Sequence, residues 1–223
     1  MKKIPFALHT ETFTPKDIQK VLSLAVNEKN FTGNNKGEKF LNVPVSFDIE
    51  TTSFYRDVDG ETYTYDRYIE LGGKQAKMEK CSLMYVWQFG VNGYCIIGRT
   101  WDEFITMLDT ISDVLNLSEK RRIIIYVHNL AYEFQFFREL LTWQKVFSID
   151  LRKPIYGITE NGIEFRCSYL LSGYSLAKLG EQLHKYKCEK LVGDLDYSLL
   201  RHSKTPLTQK EIGYCLNDIK VVM

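Results

Sequence analysis

Asp48 and Glu50 stand two residues apart at the exit of the apolar stretch Val43-Pro44-Val45-Ser46-Phe47-Asp48-Ile49. If that stretch is a strand, its period of two points both side chains to one face. Ionised carboxylates held side by side repel unless a cation lies between them, and hard divalent cations take oxygen ligands of this kind. An exposed strand end with acidic residues explains the pair equally well in isolation. Glu133 follows a second apolar run, Arg122-Ile123-Ile124-Ile125-Tyr126-Val127, one turn into a segment that starts at Asn129. There its charge suits a helix dipole without any chemistry, and His128 and Asn129 suit capping. Tyr214 and Asp218 are four apart and share a helix face, beside an apolar stripe of Ile212, Leu216 and Ile219. A solvated phenol and carboxylate would give the same pattern. Together, four acids and a phenol could converge on two divalent metals.

The elements that must position these groups are legible as periods. After the strand that ends near Asp48, residues 82–89 and 94–97 are β-rich and flank Asn92-Gly93, a strong hairpin signal. Thr100 with Glu103 forms a capping-box pattern ahead of Phe104, Ile105, Leu108, Ile111 and Leu115, whose spacing is helical. Residues 122–127 form the second buried strand, and Leu130, Phe134, Phe137 and Leu141 lie on one face of the helix after it. A further hairpin around Glu160-Asn161-Gly162 precedes a helix striped by Leu176, Leu179, Leu183 and Tyr186, and Thr208 with Glu211 caps the helix that carries Tyr214 and Asp218. Strands first, then helix, then a strand-helix unit argue for a mixed sheet flanked by helices. Residues 1–42 lack a sustained period and predict a flexible N-terminal extension; the polar stretch at 56–80 predicts a long, partly disordered insert into a single domain spanning 43–223.

Composition bounds the rest. A chain of 223 residues, 44% hydrophobic and 26% charged, can bury one sizeable core. Lys plus Arg (29) nearly balances Asp plus Glu (28), so any nucleic-acid contact must come from a local patch and not from a global field. Cys81, Cys95, Cys167, Cys188 and Cys215 are scattered singly, with no C-x-x-C pair, and predict free thiols in a reducing compartment. No apolar run approaches the roughly 20 residues needed to span a bilayer, and the basic start is interrupted at His9 before a signal region could form. The expectation is a cytoplasmic protein, without a membrane partner.

Three segments in chain order carry a resemblance. Phe47-Asp48-Ile49-Glu50-Thr51-Thr52, Val127-His128-Asn129-Leu130-Ala131-Tyr132-Glu133 and Tyr214-Cys215-Leu216-Asn217-Asp218 resemble the three exonuclease motifs of DEDD-type nucleases. The wording D-x-E-T-T, H-N-L, G-D-L-D-Y at 193–197 and Y-x-x-N-D-I is similar to the amino-terminal part of protein-primed family B (bacteriophage-type) DNA polymerases, over residues 43–223. The resemblance implies an α/β, ribonuclease H-like mixed sheet and a 3′→5′ exonuclease releasing nucleoside 5′-monophosphates from single-stranded DNA ends. It implies that Asp48, Glu50, Glu133 and Asp218 bind two Mg²⁺ or Mn²⁺ ions while Tyr214 orients the attacking water. It also maps single-strand DNA ligands onto Thr51, Asn129, Tyr132, Phe136 and Ser168, with His128 touching DNA or a priming (terminal) protein. Phe136 is as readily explained by core packing.

Two departures from the family pattern stand out. The family usually has Asp where this chain has Glu133, one methylene longer, and it places a catalytic lysine where this chain has Val192; Lys190 could substitute. Neither D-x-x-S-L-Y-P nor Y-x-D-T-D occurs, so nucleotide polymerisation is not expected of these residues, and an end inside a helix suggests a piece of a larger polymerase. Rival readings are a DEDD ribonuclease acting on RNA, a weakly catalytic single-strand or priming-protein binding module, and a glycosyltransferase using Asp194-Leu195-Asp196 as a metal ligand.

Overall fold

Apolar residues at every second position of two long neighbouring strands create the surface on which the rest of the chain packs. The computed structural model describes residues 7–8, 14–183 and 199–223. In chain order the elements are β1 (Ala7–Leu8), α1 (Pro15–Ala25), β2 (Phe31–Gly33), β3 (Lys39–Leu41), β4 (Val45–Arg56), β5 (Thr62–Tyr63), α2 (Tyr65–Glu70), β6 (Glu79–Val91), β7 (Tyr94–Gly98), α3 (Trp101–Leu115), β8 (Arg121–Val127), α4 (Leu130–Phe137), β9 (Trp143–Asp150), β10 (Lys153–Thr159), β11 (Ile163–Cys167), α5 (Ser168–Ser172), α6 (Leu176–Gln182) and α7 (Gln209–Val222).

The main sheet runs β1-β7-β6-β4-β8-β11-β10-β9. β7, β6 and β4 are antiparallel, and β8 and then β11 join β4 in parallel. This is the ribonuclease H-like mixed sheet expected from the sequence. Val45, Phe47 and Ile49 of β4 face a core shared with Phe104 of α3, Leu130 and Phe137 of α4, and Phe165 of β11. Phe47 is its hub, its ring centroid 4.9 Å from Phe104, 6.0 Å from Phe137 and 6.5 Å from Phe165; truncating such a ring to alanine costs roughly 3–5 kcal/mol. On the other sheet face Cys215 and Ile219 of α7 pack against Tyr85, Val86, Cys95 and Ile97.

Turn and cap chemistry behave as the sequence dictates. Asn92 and Gly93 adopt φ of +47° and +87°, the left-handed pair that a tight two-residue hairpin requires. Glu103 N–H donates to Thr100 Oγ1 at 3.2 Å while Thr100 N–H donates to Glu103 Oε2 at 2.9 Å, and Thr208 with Glu211 repeats the pattern at 3.2 and 2.7 Å.

Two expectations need correction. The segment 14–42 is no flexible lead-in: Ile18, Val21, Leu22 and Ala25 of α1 enter the main core, and β3 pairs with β8. The helix is legible: Ile18, Val21, Leu22 and Ala25 stand at i, i+3, i+4 and i+7 behind a Thr14–Asp17 capping box, whereas strands of three residues are too short to display a period. The insert at 56–80 is likewise folded. β4 and β6 stay paired out to Arg56 and Glu79, and α2 lays Tyr68 on Tyr55 with rings 3.8 Å apart and 8° from parallel. The Asp57 carboxylate accepts from the Asp59 and Glu61 N–H groups and from the Tyr63 hydroxyl. Polar residues dominate this stretch by count, but Tyr68 anchors it by stacking on the buried Tyr55 of β4.

The hairpin around Gly162 forms between β10 and β11, whereas β9 was not anticipated: almost every residue in it is exposed, so it shows no alternation. The helix striped by Leu176 and Leu179 ends at Gln182; Tyr186, Cys188, Lys190, Val192 and the 193–197 motif lie outside the described residues. Cys81, Cys95, Cys167 and Cys215 are free thiols. Among the described residues no helix is long and apolar enough to cross a membrane.

Candidate metal centre

The carboxylates come together through three separate devices. The first is strand period: Asp48 and Glu50 share the β4 face that carries Ser46, whose hydroxyl points at the Ile219 carbonyl of α7 (3.4 Å). The second is a β-bulge. Pairing between β4 and β6 slips immediately after Glu50, which is opposite Val86, while Thr51 is opposite Met84, so Tyr85 is the extra residue. The bulged strand bends, here β6, directly beyond the pair that Glu50 makes with Val86. The third device is a missing side chain. A Cβ on Gly90 of β6 would collide with Ile219 and come within 2.8 Å of Met223 Sδ and 3.0 Å of Ser46 Oγ. Only glycine lets α7 lie this close to the sheet.

The approach to α7 is fixed from outside as well. Thr52 Oγ1, two residues after Glu50, donates to the Leu199 carbonyl (3.0 Å) and accepts from the Arg201 N–H (3.2 Å). Arg201 Nε in turn donates to Glu211 Oε1 at 2.7 Å, with both side chains less than a tenth exposed. Burial works against the Glu211 charge, but bonds from Thr208 and Arg201 more than offset it and hold the carboxyl below its usual range.

As a result Asp48, Glu50 and Asp218 each bring a carboxylate oxygen within 4.8 Å of the others. Glu50 is 7% exposed and Asp218 5%, so the cluster is largely buried and not a patch of surface acids. Such a donor set fits a hard divalent cation. Glu133 stands beside this trio and not in it. Its carboxyl is 5% exposed, and Oε2 has no hydrogen-bond partner among the described residues. Burial pushes it well above the usual carboxylate range, and the Asp48 charge adds to the shift. Burial likewise raises the Tyr85 phenol and the Cys215 thiol, with the Glu50 charge contributing to both.

Tyr214 is buried on α7, one turn before Asp218. The remaining candidates lie on β4, on α4, at the junction that precedes α4 and at the start of α5. Thr51 Oγ1 and the Tyr132 hydroxyl share a hydrogen bond of 2.5 Å, and the half-exposed Tyr132 ring lies 5.3 Å from that of Phe136. Phe136 is partly buried against the main core, so packing explains part of its surface. Asn129 precedes α4 in a left-handed conformation, φ +66°. His128 Nδ1 and Ser168 Oγ lie 3.1 Å apart, and the imidazole meets Tyr169 edge-on at 5.8 Å. Lys190 falls outside the described residues.

One residue of the centre was not singled out in the sequence. Gln88 of β6 is fully buried, is the direct cross-strand partner of Asp48, and donates from Nε2 to Asp48 Oδ2 (2.9 Å) and Glu50 Oε1 (3.3 Å). The signal available was a single amide between Trp87 and Phe89 in an otherwise apolar run.

No protein-family model matches the sequence, and no curated protein matches it. Among solved structures, phi29 DNA polymerase complexed with single-stranded DNA superposes with a TM-score of 0.55 at 16% identity, over 81% of this chain and 30% of that one. The ternary complex of the same polymerase with primer-template DNA and incoming nucleotide gives 0.53 at 15% identity, over 81% and 29%. The catalytic core of RRP6 from Trypanosoma brucei gives 0.44 at 11% identity, over 100% and 48%. The chain therefore shares the fold of a portion of the phi29 polymerase and spans less than a third of its length.

Proposed function

We propose that this chain is a metal-dependent 3′→5′ exonuclease that removes nucleoside 5′-monophosphates from single-stranded DNA ends. The observation that carries the reading is the trio Asp48, Glu50 and Asp218, two of them buried, with carboxylate oxygens within 4.8 Å of one another, on β4 and α7 of a ribonuclease H-like fold. These three, with Glu133 beside them, would hold two Mg²⁺ or Mn²⁺ ions. When bound, such ions lower the pKa of water and stabilise the departing 3′ oxygen.

The protein's own groups do the rest. Tyr214 orients the attacking water through its hydroxyl. Tyr132 and Phe136 offer ring faces on which any base can stack, Thr51 and Asn129 bond the terminal nucleotide, and His128 with Ser168 holds the strand behind it. The likeness to a polymerase solved with single-stranded DNA supports DNA as the substrate. It also supports a polymerase parent, of which a priming protein would be a further partner.

Incubation of the purified chain with 5′-labelled single-stranded DNA and Mg²⁺ or Mn²⁺ tests this. Stepwise shortening from the 3′ end is expected, absent with chelator and absent in the Asp48→Ala/Glu50→Ala variant. Full activity in that variant overturns the assignment, and faster cleavage of RNA of the same sequence would make the chain a ribonuclease. A second reading, a single-strand clamp with weak catalysis, draws on Glu133 standing outside the trio; nucleotide release that stays at zero across a Mn²⁺ titration selects it.

A further inference from the structure

Gln88 holds a position that no requirement of the fold explains. β6 around it is apolar and buried, with Val86, Trp87, Phe89 and Val91 all in contact with core. An aliphatic side chain of equal size would fill the same space. Instead the amide is fully enclosed, and its Oε1 has no hydrogen-bond partner among the described residues, which burdens the fold. Its Nε2 is directed at two carboxylates at once, 2.9 Å from Asp48 Oδ2 and 3.3 Å from Glu50 Oε1.

The register makes this double contact possible. Gln88 is opposite Asp48, and Glu50 is opposite Val86, the last regular pair before the bulge. Side chains of 48, 50 and 88 therefore share one face, and a single long amide spans both acids. Its chemistry also matters. A lysine or arginine here would neutralise the carboxylates and compete with a cation for them, whereas an amide donates hydrogen bonds without adding charge and without titrating. It restrains two like charges that would otherwise turn away from each other, and it leaves their attraction for a cation intact. Partners of this kind, which orient a ligand without touching the metal, typically change metal affinity 10- to 100-fold.

We propose that Gln88 is a positioning residue of the metal centre, fixing the Asp48 and Glu50 carboxylates for divalent-cation binding. The inference rests on the functional reading above. Its test is Mn²⁺ calorimetry on the chain and on Gln88→Met, alongside thermal unfolding with and without metal. The dissociation constant for Mn²⁺ is expected to rise about 10- to 100-fold, with turnover largely restored at saturating metal. A variant that binds Mn²⁺ as tightly as the parent, and merely unfolds earlier in both states, would show that the amide is structural and overturn the proposal.

Mg²⁺ titration of the parent chain, followed by the Gln88 side-chain amide resonances in ¹⁵N spectra, gives an answer even if Gln88→Met does not fold. These resonances should shift in step with metal occupancy. Their indifference while Mg²⁺ binds and DNA is cleaved sinks the role of Gln88 alone; failure of the parent to bind either metal sinks it together with the nuclease reading.

Discussion

The Glu133 carboxyl, one turn into α4, is buried beside the charge of Asp48 on β4, and both burial and that charge favour its protonated form. The folded chain thus retains a proton that the unfolded chain, with a carboxyl near 4.5, releases earlier. The stability this contributes is fully present below about pH 4.5 and is lost as pH rises through the raised folded value. Unfolding of the metal-free protein followed by circular dichroism should show that decline, and Glu133→Gln should flatten it. A slope unchanged by the substitution means that another group carries the proton.

Asp218 and Tyr214 are one turn apart on α7 and are expected to separate in their effects. Asp218→Ala removes an oxygen of the trio and should abolish high-affinity Mn²⁺ binding together with cleavage. Tyr214→Phe should leave calorimetric binding intact and slow single-turnover cleavage by about 10- to 10³-fold, the range for deleting one positioned hydrogen bond. Loss of metal in the phenylalanine variant contradicts its role as the residue that orients water.

Gly90→Ala introduces no backbone strain but places a methyl against Ile219, Met223 and Ser46. α7 must lift from the sheet, at a cost of about 1–3 kcal/mol, carrying Asp218 away from Asp48 and Glu50. Both a lower melting temperature and weaker Mn²⁺ binding are expected, because one displacement produces both. A variant destabilised with unaltered Mn²⁺ affinity would show that the position of α7 does not set the geometry of the trio.

On α4, Tyr132→Ala removes a stacking face worth about 1–3 kcal/mol per base and the hydroxyl bonded to Thr51. KM for single-stranded DNA should rise about 10- to 100-fold while Mn²⁺ affinity stays constant. Thr51→Val should give a smaller rise of the same kind. An unchanged KM in both, measured at saturating metal, removes these residues from the substrate path.

What the sequence reveals about such a centre depends on the distance over which the information is written. Asp48 and Glu50, or Tyr214 and Asp218, are read from local periods, and the two capping boxes and Asn92-Gly93 are read from adjacent residues. Gln88 is different: its part depends on lying opposite Asp48 in a strand pair, and register across the pair is not written in either strand alone. The bulge at Tyr85 and the contact between Gly90 and α7 belong to the same class. Helix α1 carries its own period, Ile18, Val21, Leu22 and Ala25 behind a Thr14–Asp17 box, and was readable, whereas the short elements of the insert at 56–80 carry too few periods to stand out from polar surroundings. Glu133 was legible as an acid at a helix start, but its place beside the trio could come only from how α4 docks.

Asp48 and Asp218 belong to opposite ends of the described chain, and this has a consequence for when the acids meet. Synthesis proceeds at roughly 5–20 residues per second, so β4 leaves the ribosome on the order of ten seconds before α7. Throughout that interval the nascent chain carries two of the three carboxylates and lacks the helix that completes them. The proposed cutting activity is therefore withheld until α7 has emerged and settled over Gly90.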